Sequence, residues 1–336
     1  MTVIDNTSAA LRRCWHPVGL ASDLAVGPAR VEIGGDGFVV VRHEDGSLAA
    51  FADRCPHRLG RLSDGRLAGD RLVCPYHGWE FERGGACVAI PALGPHAPIP
   101  ARACLDRVQV AERYGVVWLA PSPPVAPLPE VGEWSDPTLR PVWLPVVDIR
   151  AGAAQFIDNF LDFAHFPFVH AGTFGDSESP LIDDYSVVRR PGGLVVDYQH
   201  TIVNNEDPLV RTGAHPLIQP RRMRYEYTVP FTAVLRLELA LTGVINAIAV
   251  FCQPVDLATT RLYTVMLRND CADDAAAADA VAYEMSVLAE DLRILEHLPD
   301  ASLAVDATAH LHTRADRLTV EFRRLLRELL AAADAR

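Results

Sequence analysis

Four residues can bind metal in two matched pairs, Cys55-Pro-His57 and Cys74-Pro-Tyr-His77. Each pair offers one thiolate and one imidazole, and sixteen residues separate His57 from Cys74. Two Cys and two His can hold a tetrahedral zinc ion. They can also hold a [2Fe–2S] cluster, with both thiolates on one iron and both imidazoles on the other. The alternation of Cys then His in both segments suits two parallel loops gripping opposite ends of a cluster. Pro56, Pro75 and Gly78 can shape such tight loops. The segments lie between short strand candidates, not on a zinc-finger helix.

A second constellation lies between Gln155 and His170, where polar groups interrupt a Phe-rich run. Asn159, Asp162 and His165 recur every three residues, so a helix would carry them on one face. His170 comes five residues after His165 and would point away on a straight helix. Pro167 between them predicts a bend that brings both imidazoles to one metal. A buried helix with hydrogen-bonded His residues is the plainer reading, but two His with Asp and Asn in an apolar run favour a metal site. A 2-His-1-carboxylate iron site needs one carboxylate and leaves positions open for O₂ and substrate. A helix over about residues 274–297 can supply it. Val281, Met285, Leu288, Leu292 and Leu295 form its expected buried stripe, widened by Val287, Ile294 and Leu298. Asp291 falls inside this arc, where an unpaired carboxylate is costly. Glu284 lies two turns earlier on a similar heading, so geometry alone leaves both open.

The elements that must position these groups fall into two regions. Residues from about 30 to 120 read as short strands separated by Gly-rich turns, among them Phe38–Arg42, Leu48–Phe51, Arg71–Cys74 and Gly115–Leu119. Pro121-Ser-Pro-Pro-Val-Ala-Pro-Leu-Pro129 is a proline-rich connector. Beyond it come strand candidates at 193–198, 223–229, 233–239, 245–251 and 260–267, then helices at about 274–297 and 315–333. Strands followed by helices indicate an α+β arrangement. The expected domains are 1–120 and 121–336.

Cys55-Pro-His-Arg58 and Cys74-Pro-Tyr-His-Gly-Trp-Glu-Phe81 resemble the ligand loops of a Rieske [2Fe–2S] domain. Rieske subunits of respiratory complexes add a disulfide between these loops; Gly60 and Tyr76 stand at the corresponding places here. Residues Asn159 to His170 are similar to the Asn-x-x-Asp-x-x-His-x(4)-His motif of Rieske non-haem iron oxygenases. Glu290 to Glu296 resembles the stretch bearing that family's distal carboxylate, which would be Asp291. The resemblance runs from Trp15-His-Pro17 to the last helix. It is strongest to short monooxygenase members such as dicamba O-demethylase and the saxitoxin-pathway hydroxylases.

This resemblance implies an all-β Rieske domain followed by a helix-grip (START-like) catalytic domain with an antiparallel sheet and C-terminal helices. Cys55, His57, Cys74 and His77 would hold the cluster, and His165, His170 and Asp291 would hold mononuclear Fe(II). Asp162 would bridge a cluster His of one subunit to an iron His of the next in a head-to-tail homotrimer. Asn159 would stand near the iron without ligating it. The activity implied is that of a terminal oxygenase component. It would use O₂ to hydroxylate or oxidatively demethylate a small aromatic, alicyclic or natural-product substrate. The competing readings are a Rieske electron carrier or ligand-binding protein without oxygen chemistry, and a zinc-binding interaction protein. No Gly-x-Gly-x-x-Gly fingerprint and no plant-type ferredoxin spacing is present. Electrons from NAD(P)H would therefore come through a separate reductase or ferredoxin. Arg54, Arg58, Arg61 and Arg66 are expected to offer that partner a local positive patch. Phe166, Phe168, the loop from Asn204 to His215 and residues near Ile245 are expected pocket walls. Arg211, Arg221 and Arg222 are candidate anchors for a substrate carboxylate, although solvated arginines are the commoner case.

Composition narrows the field further. The 336 residues contain no lysine, which excludes Schiff-base lysine chemistry and a P-loop lysine. A net charge of −12 argues against a nucleic-acid partner. The N-terminus lacks a secretory pattern, and the longest mostly apolar stretch, Leu239 to Cys252, is too short to span a membrane. A cytoplasmic, reducing location follows, and Ala-rich helices with an all-arginine basic set suggest a bacterial source. Of the seven cysteines, Cys14, Cys87, Cys104, Cys252 and Cys271 read as small buried residues.

Overall fold

The computed structural model describes residues 2–334. The chain divides into two compact units. One comprises Leu11–Pro127 with Pro254–Asp256. The other gathers the chain up to Ala10, Leu128–Gln253 and the remainder from Leu257 onward. The N-terminal segment is tied to the second unit because Val3–Ile4 pairs with Leu303–Ala304.

The Leu11–Pro127 unit is all-β. Its strands are β1 (His16–Leu20), β2 (Gly27–Ile33), β3 (Asp36–Arg42), β4 (Leu48–Ala52), β5 (Arg66–Ala68), β6 (Arg71–Val73), β7 (Glu80–Phe81), β8 (Cys87–Ala89), β9 (Gln109–Arg113) and β10 (Val116–Ala120). They form three small antiparallel sheets, ordered β9-β10-β1, β2-β3-β4 and β5-β6-β7-β8. The Val-rich run of β3 explains how they pack. Successive side chains on a strand point to opposite faces. Val39 and Val41 therefore enter one core with Phe51, Leu62 and Phe81, while Phe38 and Val40 enter another with Val18, Ile33 and Val117. Cys55 and Cys74 belong to the first core, so both thiols are held by buried apolar neighbours.

The second unit is built on one eight-stranded antiparallel sheet. In chain order its elements are β11 (Arg140–Trp143), β12 (Val147–Ile149), α1 (Ala153–Phe160), α2 (Phe166–Val169), β13 (Val188–Arg190), β14 (Gly193–Val203), α3 (Pro208–Arg211), β15 (Ile218–Thr228), β16 (Thr232–Leu239), β17 (Val244–Pro254), β18 (Thr260–Arg268), α4 (Asp274–Leu295) and α5 (Arg317–Asp334). The sheet order is β11-β18-β17-β16-β15-β14-β13, with β12 also paired to β18. The apolar stretch from Leu239 to Cys252 forms the turn between β16 and β17, with Gly243 at φ 72°, and most of β17. Among the described residues no helix is long and apolar enough to cross a membrane.

The Asp273 side chain caps α4 by accepting from Ala276 N at 2.9 Å. Ala277, Ala280, Val281 and Met285 pack its N-terminal half against Val142, Ile248 and Met266 of the sheet. The expected buried stripe is corrected at its far end, where Ile294 is 52% and Leu298 42% exposed. Leu295 in the same turn stays buried, and Leu298 lies beyond the end of α4, so the apolar arc is narrower than expected.

Candidate active site

The two cysteine loops are conformational copies. Cys55 N donates to Gly60 O and Leu59 N to Cys55 O, each at 2.9 Å. Cys74 N donates to Trp79 O at 2.9 Å, and Gly78 N to Cys74 O at 3.0 Å. The residue four after each cysteine turns left-handed, Leu59 at φ 57° and Gly78 at φ 69°. Glycine does this without cost, whereas the leucine carries about 1 kcal/mol of strain. The His57 and His77 rings lie side by side with centroids 4.5 Å apart. Trp79 stacks on His57 at 4.7 Å and 7°. Both thiols are buried and both imidazoles are not. Burial, aided by the neighbouring Cys74, raises the Cys55 thiol to about 11, so a thiolate there calls for bound cationic charge. Two buried sulfurs and two adjacent imidazoles fit a Cys₂His₂ cluster. Gly60 packs on Tyr76, with a Cβ at 60 lying 3.3 Å from the Tyr76 Cβ. Neither position carries a thiol, so no disulfide can join the two loops there, and all seven cysteines are free. Cys104 is exposed, which corrects its reading as buried.

The second constellation assembles differently from its sequence expectation. Helix α1 ends at Phe160, so Asp162 and His165 are not on it and do not share a helical face with Asn159. Pro167 does not bend a helix either. It stands in the first turn of α2, where a missing N–H is tolerated. His165 and His170 flank this one-turn helix as its caps, and that brings residues five apart together. Their Nε2 atoms are 3.2 Å apart. Asp291 Oδ1, from α4, is 3.3 Å from each Nε2.

Three ligand atoms about 3 Å apart form one face of an octahedron around a metal with ordinary bond lengths. Asp291 Oδ1 is buried and has no hydrogen-bond partner among the described residues, as expected of an oxygen that faces a cation. Burial opposes its ionisation, but the two imidazoles prevail and bring Asp291 down to about 2. Burial likewise opposes charge on His165, yet Asp162 and Asp291 carry it up to about 9. The site thus concentrates negative charge where a cation would bind. Asn159 sits in the last turn of α1 and contributes neither to this triangle nor to the cavity lining described below.

Carboxylates also hold the far side of each ring. Asp162 Oδ2 lies 3.3 Å from His165 Nδ1, and Asp162 Oδ1 accepts from Ala164 N at 2.8 Å. Glu290 Oε2 lies 2.9 Å from His170 Nδ1 and accepts from Thr173 Oγ1 at 2.8 Å. Gly172 permits this approach, because a Cβ there would come within 2.5 Å of Glu290 Oε1. Sequence reading missed Glu290, although it is 6% exposed. Its adjacency to Asp291 was the available signal. Such partners orient ring nitrogens and raise ligand basicity. Glu290→Gln is expected to weaken metal binding about tenfold and Glu290→Ala about a hundredfold, measured by competition with a chelator.

The triangle lies in the wall of a partly open cavity of about 110 Å³. Phe160, Phe166, Phe174, Tyr225, Leu235, Leu237 and Ile248 make it apolar and aromatic. Asn204 and Glu206 of the expected loop line it, as do Val244 and Asn246 flanking Ile245. Phe168 does not; it is 67% exposed. Glu284 also faces the cavity without joining the triangle, and burial raises its carboxyl to about 7. Of the three candidate carboxylate anchors, Arg221 is buried and lines the cavity, whereas Arg211 and Arg222 are exposed as solvated arginines usually are.

A Cys₂His₂ cluster site and a two-His, one-carboxylate site on one chain define the Rieske non-haem iron oxygenases, and this chain belongs to them. Residues 14–110 match the Rieske [2Fe-2S] domain, and residues 149–332 match the vanillate O-demethylase oxygenase C-terminal domain. Methylxanthine N1-demethylase NdmA of Pseudomonas putida is 31% identical over 98% of this chain and 92% of its own. A structure of NdmA with caffeine superposes with TM-score 0.83 at 30% identity, covering 97% of this chain and 93% of that one. Dicamba monooxygenase bound to dicamba shares the fold, with TM-score 0.79 at 22% identity over 97% of this chain and 99% of its own.

Proposed function

We propose that this chain is the terminal oxygenase of a demethylase system that removes a methyl group from a small N- or O-methylated aromatic compound. The observation that carries this reading is the triangle of His165, His170 and Asp291 set in the wall of an aromatic-lined cavity. Cys55, Cys74, His57 and His77 would hold the cluster, and the triangle would hold Fe(II). The cluster supplies electrons singly, and the iron activates O₂.

The protein's own groups do the rest. Asp162 and Glu290 hold the Nδ1 sides of the two imidazoles, leaving both Nε2 atoms for the metal. The phenylalanines and leucines exclude water and present a flat apolar face to an aromatic ring. The relatives that support a demethylase are the methylxanthine N1-demethylase and dicamba O-demethylase. The overall change is one methyl group, one O₂, two electrons and two protons to the demethylated product, formaldehyde and water.

Electrons would come from NAD(P)H through a separate reductase or ferredoxin. Arg54, Arg58, Arg61 and Arg66 are all exposed beside the cluster loops, in keeping with an acidic docking partner. Asp162 would connect the two centres across subunits of a homotrimer. A bacterial cytoplasmic setting accords with seven free cysteines.

The test is turnover with a surrogate reductase against N-methyl and O-methyl aromatics. One formaldehyde per O₂ consumed supports the reading. A fully metallated protein that reduces its cluster but consumes no O₂ with any of them indicates an electron carrier instead.

A further inference from the structure

Two buried polar atoms on the cavity wall have no hydrogen-bond partner, and one buried guanidinium beside them has no carboxylate within ion-pair distance among the described residues. Arg221 is 6% exposed and points inward from β15. Its Nε donates to His200 Nε2 at 3.0 Å, and its Nη2 reaches Met223 Sδ at 4.0 Å. Its guanidinium carbon lies 4.5 Å over the Phe174 ring, which stacks at 4.8 Å on the ring of His170. Among the described residues no carboxylate is within ion-pair distance of it. Tyr225 Oη and Asn246 Oδ1 are also buried without a hydrogen-bond partner.

The sheet register places the three on the cavity-facing side of neighbouring strands. Arg221 and Tyr225 are four apart on β15, opposite Leu239 and Leu235 of β16. Asn246 on β17 is opposite Leu237, which lies between those two leucines. Adjacent strands are about 4.8 Å apart and residues rise about 3.4 Å, so the backbones of Arg221 and Tyr225 are each roughly 12 Å from that of Asn246, two strands across and two residues along. A single aromatic ring with two substituents spans that gap.

The cavity's own carboxylates do not neutralise Arg221. A paired carboxylate is pulled below its ordinary range. Glu206 and Glu284 face the same cavity and act on Arg221 through space, but among the described residues neither forms an ion pair with it, and burial raises both carboxyls. Arg268 is already taken by Asp270 at 2.8 Å. His200 accepts from Arg221 Nε as a neutral imidazole, kept so by burial and by Arg221, and brings no negative charge. A buried, unpaired guanidinium costs stability. Its presence in a ligand cavity is explained if the ligand brings the missing charge.

Resting on the demethylase reading above, we infer that this wall selects a planar substrate bearing an anionic oxygen group. Arg221 and the Tyr225 hydroxyl would hold that group, and Asn246 Oδ1 would accept from an N–H or O–H on the same molecule. Arg221, Tyr225 and Asn246 are thus specificity residues, distinct from the metal triangle.

The test uses iron-loaded, full-length protein and calorimetric titration with paired probes. One pair is 4-methoxybenzoate and 4-methoxybenzamide, and a second is 4-hydroxy-3-methoxybenzoate and its amide. The anion of at least one pair is expected to bind ten or more times tighter than its neutral partner. Arg221→Gln should weaken anion binding about a hundredfold while leaving the amide within threefold. Arg221→Lys should retain part of the anion selectivity, and Tyr225→Phe should lower anion affinity about tenfold. Ligand-free Arg221→Met should melt higher than the natural protein, because an unpaired buried charge is removed. A purely structural arginine would give a lower melting temperature and equal losses for both probes. Equal binding of anion and amide in every pair, or an Arg221→Gln loss shared by both, overturns the inference. Selective anion binding without formaldehyde release would leave the inference standing and remove the demethylase reading instead.

Discussion

Asp291→Ala is expected to lower iron from about three atoms per chain to about two and to cut turnover by more than about a thousandfold. Among the described residues, Asp291 Oδ1 is the carboxylate oxygen that lies 3.3 Å from both Nε2 atoms. Glu290 cannot replace it, because its Oε2 is committed to His170 Nδ1 and Thr173. Glu284 faces the cavity but burial favours its neutral form, a poor ligand. Loss of the ligand should leave the two cysteine loops untouched, since they belong to the other compact unit. The reduced cluster's EPR signal should therefore persist at full intensity. Retention of about three irons, or more than a tenth of the turnover, would show that another group completes the site.

Asp162→Asn is expected to keep both metal centres and slow turnover by about one to two orders of magnitude. The amide keeps the shape and can still accept from Ala164 N, so the local turn survives. What disappears is the negative charge 3.3 Å from His165 Nδ1. Rapid-mixing experiments should show the cluster of the variant re-oxidising slowly with substrate and O₂ present. Normal re-oxidation would confine Asp162 to its local turn.

Much of the chemistry was legible because metal ligands must be particular residue types. Two Cys-then-His pairs announce a Cys₂His₂ site wherever the strands place them, since few other uses need that set. Two histidines beside Asp162 in a Phe-rich run likewise mark a buried polar cluster. The reason His165 and His170 meet was misread. Periodicity assumed a helix through the whole segment, but that helix stops at Phe160. A one-turn helix between the two histidines is too short to leave a periodic signal.

Arg221 shows the same limit on the sheet. The alternation Met223, Tyr225, Tyr227 was visible, and extending it back two residues places Arg221 inside and Arg222 outside. The strand candidate starts at residue 223, so Arg221 stood as a candidate anchor beside Arg211 and Arg222 with nothing to separate the three. The strand in fact begins at Ile218, and backbone pairing with β14 and β16 carries Arg221 inward despite its charge.

The sequence alone determined which residue types could bind metal, that the chain is all-β first and sheet-with-helices after, and that its basic residues are arginines. Those features depend on local spacing and composition. Only the tertiary structure decided that Glu290, and not only Asp291, reaches the histidines, and that Arg221 faces the cavity while Glu284 stays outside the triangle. Each of these depends on how a helix or strand is rotated against elements more than a hundred residues away or across a sheet. Long-range packing sets that rotation, and no local pattern encodes it.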